Sequence, residues 1–459
     1  MWWLALAACS NTIGIGSVSS PGSAGVEQPV VTDEGSPVRW MLHGGGAEDD
    51  AVFGRFVEAA GYGDILTLGA VEDGSDPDLR FWDDYFVGLG ARSASTLNTA
   101  TEAEADDEAL ASQIASADAV FVRGGDQSKY VAWWFDGPVG QGLIEAYDRG
   151  AVLGGSSAGC AMLGERIYDA SEGSVDAYEL LVDAADPAMT FSDGIGFGVP
   201  GVLTDTHFSE RGRLVRLAVF LAAQTVAQQG VGVDPQTALF LREDQTGFVL
   251  GDGAVTLLRN VGATAIDAGR PPYVEDMRVW SLPAGYEVDL LADDPVVARP
   301  SGLVEAELPA EAGAFQTGTL DGDLPGTSLA GSWRLTNADD PYAFIDGVIG
   351  LEAASGGLPN VVVQAGLYED GDLFETRVGG LLWSLTQHRD ALAIGLDLGH
   401  QAEVAAPGLL TPAADSAVVV LDARDADWAA SRPSGWQSAA LEGVRLSIID
   451  QAHPLNVRP

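Results

Sequence analysis

The chain has 459 residues, enough for two or three domains with substantial cores. It carries 67 acidic against 23 basic residues, a formal net charge of −44, with the acids spread along its whole length. That balance excludes nucleic acid as a partner, because phosphate binding needs a basic face, and it fits a heavily solvated surface.

The first nine residues, MWWLALAAC, form a short apolar run closing on Cys9. The run looks like a bacterial lipoprotein signal, cut before a cysteine that then takes the lipid. It predicts an exported protein, lipid-anchored to the cell envelope through Cys9. Residues 10–37 are rich in Ser, Gly, Pro and acids without periodicity and read as a flexible linker. Nothing after residue 9 is apolar for long enough to cross a membrane as a helix.

From Val38 the pattern changes to alternating strands and helices. Strands are expected at 38–43, 64–70, 93–97 and 119–123, and helices at 49–60, 79–89 and 102–116, with helical character through 147. Ala151–Leu163, AVLGGSSAGCAML, then reads as a strand, a sharp turn and a helix start. Repeated units of this length imply a mostly parallel sheet with helices on both faces, whose ligands sit at the carboxyl ends of the strands. Three glycine-rich breaks fall at such ends: Gly44–Gly46, Gly124–Gly125 and Gly154–Gly155. None continues as a phosphate loop.

Ser157 stands at the centre of G-x-S-x-G (Gly155, Ser157, Gly159). Small neighbours permit a strained turn that pushes one hydroxyl out at a sheet end, and the helix start behind it offers N–H groups to an oxyanion. Cys160, just after, reads as a small core residue. The segment GVLTDTHFSERGRLVR (201–216) holds His207, with Asp205 two residues before it and Arg211, Arg213 and Arg216 after it. In extended chain Asp205 and His207 point the same way, and Ser209 can cap the helix that follows. Three arginines so close reverse the field locally and suit a substrate carboxylate. Residues 230–240 read as one buried strand containing Asp234, and 247–258 as a β-hairpin. No His/Asp/Cys cluster has metal-ligand spacing, and no cofactor is expected.

GGGAED (44–49), GGDQ (124–127), GGSSAG (154–159), DTHFSERGRLVRL (205–217) and GVGVDPQTAL (230–239) stand in an order that resembles cyanophycinase and its relatives, the S51 serine peptidases. The resemblance covers about Val38–Leu290. It implies a class I glutamine amidotransferase-like α/β fold for a peptidase-like domain at 38–292. It also implies Ser157 as nucleophile and His207 as its base. Oxyanion donors would come from Ala158 with Gly45 or Gly46, and substrate contacts from Asp126, Gln127, Asp205, Arg211 and Arg216. The implied reaction is hydrolysis of aspartyl bonds in a cyanophycin-like peptide, releasing β-aspartyl-arginine through an acyl-enzyme. Three departures stand out: Thr206 replaces a glutamine before the histidine, Ser156 replaces a threonine, and Asp234-Pro235 replaces the glutamate that is commonly the third triad member. Asp234, or else Asp183 or Asp186, is left to orient the imidazole. Without such an acid the protein would be a weak or inactive surface-anchored peptide-binding homologue. An α/β-hydrolase esterase would leave the GGDQ and HFSERGR blocks unexplained.

The remainder, 300–459, has no catalytic set but echoes the first domain. LFETRVGGLLWSL (373–385) parallels HFSERGRLVRL, AIGLD (393–397) parallels GVGVD, and LEGVRLSIIDQAHPLNV (441–457) aligns without gaps to VEDMRVWSLPAGYEVDL (274–290). Matches in one order, each about 165 residues apart, indicate a partial internal duplication. The alignment sets Leu373 at the position of His207. It predicts a non-catalytic degenerate repeat of α/β or α+β type, and hence a monomer built as a pseudo-dimer or, failing that, a homodimer.

Overall fold

The computed structural model describes residues 36–70, 79–306, 318–321, 331–336, 350–353, 358–368, 376–388, 391–431 and 439–457. The expectations for Cys9 and for the linker up to residue 35 lie outside them.

The expected α/β core is present. Parallel strands run in the order Ser93–Thr99, Asp64–Ala70, Ala119–Val122, Val152–Ser156 and Val38–His43. Antiparallel strands Thr237–Arg242, Thr246–Gly251, Glu287–Asp289 and Val296–Ala298 extend the same sheet. Alternate residues of a strand face opposite ways, so Met41 meets Val52, Phe53 and Phe56 of helix Asp50–Ala59 on one face. Trp40 and Leu42 meet Tyr130, Trp134 and Leu143 of helices Gln127–Trp134 and Pro138–Asp148 on the other. Each such side chain, once buried, contributes about 1.5–3 kcal/mol. The helix expected over 102–116 is broken into Glu102–Ala105 and Glu108–Ser116, because Asp107 caps the second piece by accepting from Ala109 N–H.

Two readings of local pattern are corrected. The run 230–240 is two strands in different sheets, Gln229–Val233 and Thr237–Arg242, separated by Asp234-Pro235-Gln236 with Gln236 at φ 54°. Likewise 247–258 is not a hairpin. Thr246–Gly251 pairs in the first sheet and Ala254–Arg259 in the second, with the chain crossing between them at Gly251–Gly253.

The second sheet reads the same from either end. From one edge it runs Phe191–Asp193, Gly164–Tyr168, Val199–Asp205, Gln229–Val233, Ala254–Arg259 and Tyr273–Pro283. It continues from there through Ala439–Ile449, Val418–Asp422, Leu392–Leu396, Leu358–Ala365, Gly331–Thr336 and Gly350–Ala353. The pairing senses repeat in mirror order: antiparallel, parallel, parallel, antiparallel, antiparallel in the first half, and the same series in the second. At the centre Arg278 pairs with Arg445, the residue aligned to it in the sequence repeat. A small sheet, Gly318–Asp321, Gln401–Ala405, Leu409–Pro412 and Leu455–Asn456, repeats the antiparallel end of the first sheet. Helices Leu214–Ala223 and Val378–Ser384 share one core, in which Leu217 and Phe220 lie with Leu381 and Trp383. In the first copy residues 44–163, with the serine turn, separate Val38–His43 from Gly164–Tyr168; in the second only 322–330 separate Gly318–Asp321 from Gly331–Thr336.

Leu373 falls outside the described residues, and hydrogen-bond register assigns its expected place to another residue. Phe208 N–H donates to Val233 O and Ser209 N–H to Asp234 Oδ1; in the second copy Leu367 N–H donates to Leu396 O and Tyr368 N–H to Asp397 Oδ1. The counterpart of His207 is therefore Gly366, and both have positive φ, 48° and 57°. The two turns close in the same way, Arg213 N–H to Phe208 O and Arg377 N–H to Leu367 O, but more residues of sequence separate these positions in the second copy, and the sequence match slips there.

Candidate active site

Ser157 follows strand Val152–Ser156 at φ 52° and ψ −118°, a conformation that costs a non-glycine residue about 1–3 kcal/mol. Its flanking glycines are required by space: a methyl group on Gly155 would stand 2.2 Å from Gly159 O, and one on Gly159 would stand 2.0 Å from Val122 O. The turn is held from the neighbouring strand by Ser157 N–H donating to His43 O at 3.1 Å. Gly124 of the GGDQ loop lies against it, since a methyl there would be 3.4 Å from Ser157 Cβ.

His207 follows strand Val199–Asp205 and is tied to the first glycine loop by its N–H donating to Gly44 O at 2.8 Å. The Ser157 hydroxyl reaches His207 Nε2 at 3.0 Å. Gly45 has room only because it lacks a side chain, for a methyl group would lie 2.4 Å from that nitrogen. On the far side of the ring, Nδ1–H donates to Glu210 Oε1. Glu210 is buried, and Arg211 Nε lies 3.6 Å from the same oxygen. Burial lowers the His207 pKa, and the Arg211 and Arg213 charges add to this; the Glu210 bond offsets it only in part. The imidazole is thus neutral at neutral pH, with Nε2 the acceptor.

Glu210 was not singled out from sequence. Its signal was its place in HFSE, three residues beyond the histidine across a turn. Asp234, expected as the orienting acid, makes no bond to His207. Its Oδ1 accepts Ser209 N–H at 2.9 Å and its Oδ2 accepts Ala254 N–H at 3.0 Å. Asp397 takes the corresponding architectural place in the second copy, which has no histidine there. Burial raises the Asp234 carboxyl to about 6. Asp183 and Asp186 cap turns, accepting from Ala185 N–H and Ala188 N–H, and are not at the imidazole.

His43, also missed, lies at the end of the first strand, where a lone histidine carries little signal. It is buried with Nδ1 2.9 Å from Ser156 Oγ. Burial, and then His207, lower its pKa to about 3, so it is a neutral brace. Gly45, expected as an oxyanion donor, gives its N–H to His43 Nδ1 at 3.4 Å. Gly46 follows it in the loop at φ 84°, and Ala158 opens the short helix behind Ser157. Cys160 is fully buried.

The expected substrate contacts divide. Arg211 is half-buried beside the acid–base pair, and Gln127 is half-buried at the start of its helix. Asp126 is instead that helix's N-cap, accepting from Ser128 N–H at 3.0 Å and from its hydroxyl at 2.6 Å. Asp205 and Arg216 are corrected outright: both are buried and bound to each other. Arg216 Nε donates to Asp205 Oδ2 at 2.9 Å, Arg213 Nη1 donates to Oδ1 at 3.3 Å, and the Arg216 guanidinium stacks over Tyr168 and Phe220. Burial opposes the Asp205 charge, but Arg216 and Arg213 outweigh it and hold its carboxyl below the usual range. Asp205→Asn takes the nearest counter-charge from two buried guanidinium groups, leaving Asp176 at 3.8 Å from Arg216, so urea unfolding should show a loss of about 3–5 kcal/mol.

Peptidase family S51 matches residues 81–249 of the chain. The cyanophycinase of Synechococcus elongatus is 33% identical over 255 residues, covering 52% of this chain and 76% of that protein. The cyanophycinase of Geminocystis herdmanii is 26% identical over 275 residues, covering 57% and 96%. The crystal structure of a peptidase from an acI-B1 Actinobacterium aligns over 56% of this chain and 98% of its own at 18% identity and TM-score 0.38. At that identity to the first of these relatives, over three-quarters of its length, the chain belongs to peptidase family S51.

Proposed function

We propose that the protein is a serine-type exopeptidase of cyanophycinase type, cleaving aspartyl bonds through an acyl-enzyme. The observation that carries this reading is the line Ser157 Oγ, His207 Nε2, His207 Nδ1, Glu210 Oε1. Along it Ser157 attacks the scissile carbonyl while its proton passes to His207 Nε2, and Glu210 stabilises the imidazolium that results. The proton then goes to the leaving amine; water, activated by the same nitrogen, attacks the ester and regenerates the hydroxyl. Ala158 N–H and Gly46 N–H are the donors for the oxyanion.

The names of the relatives support a substrate with arginine on aspartate side chains. Arg211, beside the site in a chain this acidic, supports recognition of a carboxylate on it. The run closing on Cys9 supports an exported, lipid-anchored location. Incubation of the purified protein with cyanophycin tests the reading: β-aspartyl-arginine should appear by mass spectrometry. Intact polymer after prolonged incubation, from protein that still binds it, would favour a peptide-binding homologue instead.

A further inference from the structure

The turn that carries both His207 and Glu210 is closed by Arg211 N–H to His207 O, Gly212 N–H to Ser209 O and Arg213 N–H to Phe208 O, at 3.1, 3.1 and 2.9 Å. Its far end meets the second copy. The Tyr368 hydroxyl donates to Gly212 O at 2.8 Å in a buried contact. Gly212 is at φ 60°, and a methyl group on it would stand 2.2 Å from Thr376 Oγ1 and 2.8 Å from Tyr368 Cε1, so the two copies touch there without slack. Tyr368 is itself fixed at both ends of its backbone. Its N–H donates to Asp397 Oδ1 at 2.8 Å, and it forms a β-bridge with Thr376. Burial first, then Asp397 and Asp176, raise its phenol well above the ordinary range, so it remains a donor.

We propose that Tyr368 is a positioning residue for the acid–base pair: by holding the Gly212 carbonyl it fixes the turn that sets Glu210 against His207. The C-terminal copy, whose sequence carries no G-x-S-x-G, thereby completes the site of the first. By register Tyr368 occupies the place that Ser209 has in the first copy, so the two halves have diverged at the point where one braces the other. The inference rests on the Ser157–His207–Glu210 reading.

Tyr368→Phe keeps the ring and removes the one hydrogen bond. With a fluorophosphonate probe of Ser157, its saturating labelling rate should fall about tenfold, as expected for a small misplacement of a reacting group. The half-saturating probe concentration should not change, and rates are taken per folded molecule by near-UV circular dichroism. In a Glu210→Gln background the same substitution should cost nothing further, because the two residues act through one geometry. Labelling of Tyr368→Phe at the parent rate, or an equal factor in both backgrounds, would overturn the inference and leave the triad reading intact. Glu210→Gln labelling at the parent rate would overturn both.

Discussion

Glu210→Gln should lower the fluorophosphonate labelling rate, and kcat on peptide, by about 10⁴-fold while leaving the fold in place. The amide keeps the shape of the carboxylate but loses the charge that stabilises the imidazolium, and it can present N–H to Nδ1 and select the wrong tautomer. Ser157→Ala should abolish labelling altogether. The pH dependence carries the sign. His207 works as the neutral base, so activity is lost as pH falls and the ring takes a proton. Burial, with Arg211 and Arg213, puts that acid limb below the ordinary histidine range. Glu210 is the group that opposes this lowering, so its replacement should move the limb to still lower pH while the plateau drops. Asp234→Asn is the contrasting variant. It exchanges an acceptor facing Ala254 N–H for a donor and should destabilise the protein by about 1–3 kcal/mol. The labelling rate per folded molecule should stay at the parent level. If the two variants exchanged outcomes, Asp234 would be the orienting acid after all.

The sequence marks the serine far more clearly than its acid, and the reason is physical. G-x-S-x-G is dictated by backbone clearances at Gly155 and Gly159, so the requirement is printed in adjacent residues. The bond from His207 to Glu210 depends on His207 adopting φ 48°, which folds the chain back so that a residue three further on meets the ring. Nothing in HFSERGR announces that turn, and the same letters serve equally as a helix face. Charged residues near a histidine suggest substrate contacts, yet Asp205 and Arg216 satisfy each other across one turn of chain and helix. Pattern alone does not separate a pair that awaits a ligand from a pair that is already complete. The sheets show the same limit. The apolar pattern marks 230–240 as one strand and 247–258 as a hairpin, but the break at Asp234-Pro235 and the corner at Gly251–Gly253 move consecutive strands into different sheets, which periodicity does not record. The repeat was legible at its central strand, where the match has no gap, and misaligned at Leu373, where the sequence spacings differ.

A chain shortened after Pro300 should not remain a soluble, fully active monomer, whereas the full chain should run as one by size-exclusion chromatography with light scattering. The shortening strips strand Tyr273–Pro283 of its neighbour Ala439–Ile449 and opens the core that helix Leu214–Ala223 shares with Val378–Ser384. It also removes Glu442, which is fully buried and accepts from Tyr286 Oη at 3.0 Å and Arg299 Nε at 2.6 Å. An unpaired apolar strand of this length is a template for another chain. The register says which pairing is available. Arg278 faces Arg445, its own repeat equivalent, so the central contact already has the geometry of a self-complementary two-fold interface. Two shortened chains can therefore pair with Arg278 opposite Arg278. Each guanidinium would be within reach of the other chain's Asp276, as Arg445 is now at 3.3 Å. Dimers or insoluble protein are the expected products. Even a well-formed dimer should label slowly, because the place of Tyr368 would be taken by Ser209, whose side chain is too short to hold the Gly212 carbonyl. A dimer with the full labelling rate would show that the second copy supplies only an edge to the sheet, and that the phenol contributes nothing to the acid–base pair.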